Sequence, residues 1–436
     1  MTPIFELENF LATRKAPTAR PLLEVHLDAP ELGPAMHIGN LYPGAERVDL
    51  APSFEYTKAW LQSCAAVPID PQLPLYAGEQ HSPDGKGFGI FSDCAPDRWG
   101  RVLMERREAN AAAREQRSMV RTTDLFYMLG VNDFTRSGAL RFRRGPDAPF
   151  LDDSTLPAPP ATDLRELAEV ARKLDGPRPE TLPEYEKWLA MLIAPGSSLG
   201  GARPKATFMM PDASLWLAKF PGHNDQYDWG SWEYLTYLLA RDAGIEMPDA
   251  ERVLLSDRYH TYCVRRFDRL PATAGMQQGR RMYASAMTLL ERRDGQEGGS
   301  YLHLIEALET YGGAGLTEDM HQLFRRAVFN LLAGNRDDHL RNHGFILSPT
   351  GWRLAPAFDI NPNPAKSEHA LTWDGKSAAP LLQTVIDTAA YYRLDAARAQ
   401  AIVEQVTAAV SAWRQRAAAL DIPRIEIQMM ESVFLV

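Results

Sequence analysis

Asn335-Arg336-Asp337-Asp338-His339-Leu340-Arg341-Asn342, with Ala357-Phe358-Asp359 further along, is the stretch on which the reading of this chain turns. It places an acid, then an Asn, then a second acid. Phosphoryl transfer asks little covalent chemistry of a protein: one carboxylate beside the attacking hydroxyl, and oxygen ligands for the metal on the phosphates. Asp337 and Asn342 keep the interval of the Asp and Asn in the catalytic-loop pattern H-R-D-x-x-x-x-N. Any one of these residues alone reads as a turn former or helix cap. The three together, at this spacing, point to chemistry.

The flanks show how the groups could converge. Leu323, Phe324, Ala327, Val328, Leu331 and Leu332 recur at helical spacing, and Gly334 supplies a stop, so Asp337 is expected in a loop just past a buried helix. Phe345-Ile346-Leu347 and Trp352-Arg353-Leu354, around Ser348-Pro349-Thr350-Gly351, predict a β-hairpin. Its outer ends would set Asn342 beside Asp359, as a shared magnesium site requires.

Upstream, Pro195-Gly196-Ser197-Ser198-Leu199-Gly200-Gly201-Ala202-Arg203-Pro204-Lys205 is a small-residue loop whose amides could cradle phosphate, although many such loops are only turns. No G-K-[ST] closes it, so it is not a Walker A loop. Ala206 to Met210 and Leu215 to Phe220 read as two strands. Lys219 closes the second, where an ammonium is costly to bury unless it meets an anion. Glu233, in the first turn of a helix marked by Trp232, Leu235, Leu238 and Leu239, is either its partner or simply an acid favoured by the helix dipole. Tyr259 to Val264 reads as a strand running into Arg265-Arg266-Phe267-Asp268-Arg269. Its end is either an adenine-binding hinge or a charged sheet edge.

These residues and several N-terminal strings resemble the HipA-like serine/threonine kinases, the toxin halves of bacterial toxin–antitoxin pairs. The N-terminal strings include Phe91-Ser92-Asp93-Cys94-Ala95-Pro96-Asp97-Arg98-Trp99-Gly100-Arg101 and Val131-Asn132-Asp133-Phe134-Thr135-Arg136-Ser137-Gly138-Ala139-Leu140. The resemblance runs nearly end to end. It implies ATP and Mg2+ as cofactors, Asp337 as the catalytic residue, and Asn342 with Asp359 on the metal. It implies nucleotide contacts from Ser198, Gly200, Gly201, Ala202, Lys205, Lys219, Arg266, Phe267, Asp268, His339 and Asn342. Ser198, with Ser197 as the alternative, matches the family's autophosphorylated loop serine. It further implies a HipB-like helix-turn-helix antitoxin as partner and an aminoacyl-tRNA synthetase as target class. The chain departs from the pattern at Arg203-Pro204, where many relatives carry a Gln-containing pair. It departs again at Arg265, acidic in some relatives, and at Asp338, smaller in some.

The expected fold class is α+β: a protein-kinase-like two-lobed core, with a strand-rich nucleotide lobe and a larger helical lobe, plus an additional N-terminal α/β domain. The Pro-rich residues 146–160 suggest a linker. That gives an N-terminal domain over 1–145, a nucleotide-binding lobe over 161–270 and a helical catalytic lobe over 271–436. In the last, helices are expected at Tyr301 to Tyr311, Thr317 to Ala333, Gln383 to Tyr391 and Asp395 to Ala418. A net charge of −9 argues against unaided DNA binding. Three scattered cysteines, no leader and no membrane-length apolar run fit a cytoplasmic protein. Three other readings compete. One is a metal-dependent phosphoesterase using Asp337, Asp338, His339 and His343, although His339 alone reads as a loop-structuring residue. The others are a catalytically silent antitoxin-binding regulator and a small-molecule kinase.

Overall fold

The computed structural model describes residues 22–43, 52–152, 158–177, 179–181, 184–193, 203–256, 258–271 and 278–436. Ser197, Ser198, Gly200, Gly201 and Ala202 lie outside them. Contacts group the chain into one unit of Met1–Leu217 with Asp268–Ala284, and a second of Ala218–Phe267 with Ser285–Val436. This division differs from one drawn at the Pro-rich stretch, which falls within the first unit.

In the first unit, Leu23, Val25 and Leu27 alternate with Glu24 and His26, and the strand Leu23–Leu27 is buried on both faces. It is the middle of a five-stranded sheet in the order Ser53–Tyr56, Met36–Tyr42, Leu23–Leu27, Leu140–Arg143, Phe150–Leu151. All the pairings are antiparallel, with Val25 opposite Gly39 on one side and Phe142 on the other. A Cβ at Gly39 would fall 2.1 Å from Phe54 Cζ, so glycine there makes room for the ring. Phe54 packs on Phe91, and Phe91 on Phe142. The Pro-rich stretch contributes the edge strand Phe150–Leu151, which pairs with Phe142 and Arg143. Arg136 is wholly buried and donates to the carbonyls of Met128, Val131 and Leu151. That knot accounts for much of the Val131-to-Leu140 string.

The strand Leu215–Lys219, whose last two residues open the second unit, is followed in its sheet by Thr261–Arg265 and then Ala250–Val253. Asp228 caps the helix Trp229–Asp242, accepting from the Ser231 amide at 3.1 Å. The expected buried helix runs Leu316–Leu332 and packs on Tyr301–Tyr311. The hairpin Gly344–Ser348 with Gly351–Leu354 also forms, with Phe345 opposite Leu354. Two helices differ from expectation. Residues 383–391 form a helix only over Leu382–Asp387, followed by a 3-10 turn at Ala389–Tyr392. The helix capped by Asp395 stops at Ser411 and resumes as Trp413–Ala419. After that break, Trp413 stacks on Phe434 at 4.4 Å and contacts Trp232, a tertiary demand that helical periodicity does not encode. Among the described residues no helix is long and apolar enough to cross a membrane.

Gly334, just past Leu316–Leu332, has φ of 66°, and a Cβ there would lie 2.4 Å from Val433 Cγ1 and 2.5 Å from the Val433 carbonyl. Left-handed backbone costs an L-residue roughly 1–2 kcal/mol, and the clash adds to it. Gly334→Ala should therefore lower the unfolding free energy by about 2–3 kcal/mol in urea titration. An unchanged midpoint would contradict this packing.

Candidate active site

The strand Leu215–Lys219 ends on a lysine whose aliphatic stem is sheathed and whose ammonium meets two acids. Lys219 Nζ lies 2.5 Å from Glu233 Oε1 and 2.6 Å from Asp359 Oδ1. Glu233 comes from the first turns of Trp229–Asp242 and is itself buried. Burial alone would lower the Lys219 pKa, but Asp359 and Glu233 more than reverse that and hold it above its ordinary value. Lys219 is therefore a fixed cation. Asp359 has φ of 57°, an uncommon conformation for a residue with a side chain. The following residue is pinned by Thr236, whose hydroxyl donates to the Ile360 carbonyl at 2.7 Å. One helix thus orients both the partner of Lys219 and the segment carrying Asp359.

The loop after Gly334 divides two adjacent acids. Asp337 is exposed and bonds to Lys366 Nζ. Asp338 is buried and accepts from Tyr301 Oη at 2.5 Å and Asn330 Nδ2 at 3.0 Å, with His343 Nε2 also at 3.0 Å. Burial works against the Asp338 charge, but His343 and the Tyr301 hydrogen bond outweigh it and lower the pKa. The loop is fastened to the segment after Asp359 as well. The Asn363 amide donates to the Gly334 carbonyl at 2.9 Å, and Arg336 donates to the carbonyls of Asn363 and Lys366. Asn342 is buried, with its Nδ2 3.3 Å from the Asp337 carbonyl and its Oδ1 without any hydrogen-bond partner. An orphaned carboxamide oxygen near the mouth of the hairpin, with the Asp359 carboxylate following the hairpin's second strand, is a donor set suited to a hard, oxygen-seeking cation such as Mg2+.

The other expected residues have the following surroundings. Phe267 stacks on Phe358 at 5.3 Å, beside Asp359, and Arg266 is buried next to it. His339 is exposed. Lys205 is buried in the first unit in an ion pair with Asp97 at 2.6 Å, and Asp268 is buried there, accepting from the Gly138 amide and from Arg269. The phosphoesterase cluster does not assemble: Asp338 and His343 are spent on each other while Asp337 and His339 face outward. Among the described residues, the His and carboxylate atoms close enough to share an ion are those of Glu24, His26 and His37. There Arg143 already sits 2.7 Å from Glu24. Sequence reasoning missed Lys366, which lies in no motif, and the buried supports Tyr301, Asn330 and His369.

The chain is similar to several known proteins. Residues 197–413 match the family model of the HipA-like C-terminal domain. The serine/threonine-protein kinase toxin HipA of Shewanella oneidensis is 26% identical over 360 residues, 74% of each chain. The putative kinase Y4mE of Sinorhizobium fredii is 25% identical over 328 residues, 70% of this chain and 71% of the relative. The solved complex of Shewanella oneidensis HipA, HipB and operator DNA contains a chain of the same fold, with a TM-score of 0.66 at 19% identity and 94% of both chains covered. The protein is thus a mixed α+β chain, a sheet-containing N-terminal region followed by a kinase-like one. It carries a HipA-like C-terminal domain and is distantly homologous to the HipA kinase toxins.

His369 offers a pH test of the loop's support. Its Nδ1 lies 3.1 Å from the Asn335 carbonyl, and burial lowers its pKa from 6.5 to about 4. As pH falls below 6.5 the unfolded chain takes up the proton first, so stability is lost on acidification, fully below about pH 4. The loss from this group is about 2 kcal/mol between about pH 8 and pH 5. His369→Asn keeps a donor for Asn335 and should remove that share of the pH dependence in urea titrations. Equal dependence in variant and parent would discard the assignment.

Proposed function

We propose that this chain is an ATP- and Mg2+-dependent protein serine/threonine kinase acting as the toxin of a toxin–antitoxin pair. The observation that carries the reading is the half-buried Lys219 ammonium, held between a helix glutamate and the acid that follows the hairpin. Kinases use such a strand lysine, paired with a helix glutamate, to grip the α- and β-phosphates. Magnesium-bound ATP supplies the transferable phosphoryl group. Asn342 Oδ1 and the Asp359 carboxylate would hold the metal; the unpartnered state of the former supports this. Asp337, exposed at the end of its anchored loop, orients the acceptor hydroxyl and takes up its proton. Lys219 would fix the phosphates, and Glu233 would keep its ammonium in place if Asp359 were drawn to a metal. Arg266 and Phe267 follow the strand Thr261–Arg265 and would line the adenine end through backbone groups, with Phe267 seated on Phe358.

The regulatory and cellular parts of the proposal rest on sequence motif and on relatives. Ser198, or its neighbour Ser197, is the autophosphorylation site. A phosphoserine adds close to two negative charges where nucleotide phosphates must sit, and so opposes binding. A HipB-like antitoxin supplies the DNA contacts that a chain of net charge −9 is poorly suited to make. The target is a component of translation, an aminoacyl-tRNA synthetase by analogy. The compartment is the cytoplasm, in keeping with free Cys64, Cys94 and Cys263.

Asp337→Ala should reduce phosphate incorporation from labelled ATP by on the order of 10²–10⁴-fold while leaving the thermal melt unchanged. Normal incorporation by that variant would refute the catalytic role. Asn342→Ala should instead shift the magnesium requirement upward. A variant that lost turnover with an unshifted magnesium profile would take Asn342 off the metal.

A further inference from the structure

The first unit contains a cavity of about 410 Å³ that the proposed phosphotransfer chemistry does not use. Its wall carries three guanidinium groups, Arg141, Arg269 and Arg280, and two carboxylates, Asp28 and Asp133. Phe134 adds an apolar patch. The polar groups are unevenly matched. Asp133 accepts from Arg141 at 2.6 Å and lies 3.2 Å from Arg280 Nη2, and Asp28 accepts from Arg141 Nη1 at 3.0 Å. Arg269 is taken up by Asp268 and by the carbonyls of Phe134 and Arg136. Arg280 is only 7% exposed, yet its Nη1 meets no acceptor. A buried cationic N–H without an acceptor is costly.

We propose that this cavity binds a small oxyanion-bearing molecule, a carboxylate or a phosphate ester, held by Arg280 with its body against Phe134. Two features support it. The cavity is of the size that encloses a small organic ligand. A guanidinium fork is also the group best shaped for carboxylate and phosphate oxygens. Burial has already driven the Arg280 pKa down to about 10, the mark of a cation short of compensation, and an incoming anion would reverse it. The segment from Asp268 to Ala284, which carries Arg269 and Arg280, leaves the second unit's chain at Phe267 and rejoins it at Ser285.

The test is calorimetric titration of the full chain with inorganic phosphate and, separately, with benzoate, at fixed ionic strength. At least one should bind saturably with a Kd below about 10 mM. Phosphate alone would indicate a phosphorylated ligand, and benzoate alone a carboxylate with an apolar body. Arg280→Gln should abolish binding. Lys219→Met, which alters the proposed nucleotide site instead, should leave it unchanged. Asp28→Asn removes one wall charge and frees Arg141 Nη1, so affinity should rise about five- to tenfold. This direction cannot come from a damaged fold, so the test survives if Arg280→Gln does not fold. No saturable binding of either anion, loss of binding in Lys219→Met, or an Asp28→Asn affinity equal to or below that of the parent would each overturn the proposal.

Discussion

An ammonium locked between two carboxylates is the constraint on which the second unit is organised. Taking Lys219 out of water costs several kcal/mol unless opposite charge goes with it. Glu233 and Asp359 meet that cost from separate parts of the chain, so the strand, the helix Trp229–Asp242 and the segment after the hairpin must come together for the cation to be tolerated. Removing one partner would leave the others charged and under-compensated. A metal-chelated polyphosphate would redistribute these charges: Lys219 would turn to the phosphate oxygens and Asp359 to the metal.

The loop bearing Asp337 is held by a different means, chiefly hydrogen bonds to backbone carbonyls. Arg336 reaches the carbonyls of Asn363 and Lys366, the Asn363 amide reaches Gly334, and His369 faces the Asn335 carbonyl. The C-terminal segment closes over the loop through Val433, against which Gly334 packs too closely for any side chain. A loop so fastened presents an exposed carboxylate at low conformational cost, which is what positioning an acceptor hydroxyl demands. The Asp337–Lys366 pair itself is exposed and contributes little to stability.

How much of this could be read from the chain depends on whether the information was local. The buried helix, its glycine stop, the hairpin and the Asp395 cap all follow from periodicity and turn chemistry within a few residues, and all are present. The Lys219–Glu233 contact was one of two readings, because a helix-dipole acid and an ion-pair acid have the same sequence signature. Three-dimensional placement separates them. The ion pair of Lys205 was not legible, since its partner Asp97 lies more than a hundred residues earlier and doubles as a helix cap. The Pro-rich stretch looked like a linker by composition, whereas Phe150 and Leu151 within it complete a sheet edge. Edge strands tolerate neighbouring prolines, so composition alone does not distinguish the two.

Two successive aspartates in one loop had offered two candidates for one role. The loop residues alternate, with Asp337 and His339 outward and Asp338 and Leu340 inward, so the backbone assigns the acids to opposite environments. The inward one is saturated by Tyr301, Asn330 and His343 and carries a lowered pKa, so it stays ionised and serves to hold the loop's base. A buried acid already held by Tyr301, Asn330 and His343 is closed to an incoming hydroxyl. The outward one is open to it. Its interval to Asn342 matters because the same loop must end on a buried carboxamide whose oxygen is left unpaired. The exchange Asp337 for Asp338 would shorten that interval by one residue and turn the acid into the core. On the proposed reading the doubled acid is therefore not redundancy: one carboxylate supports the loop and the other is left exposed to act on an acceptor.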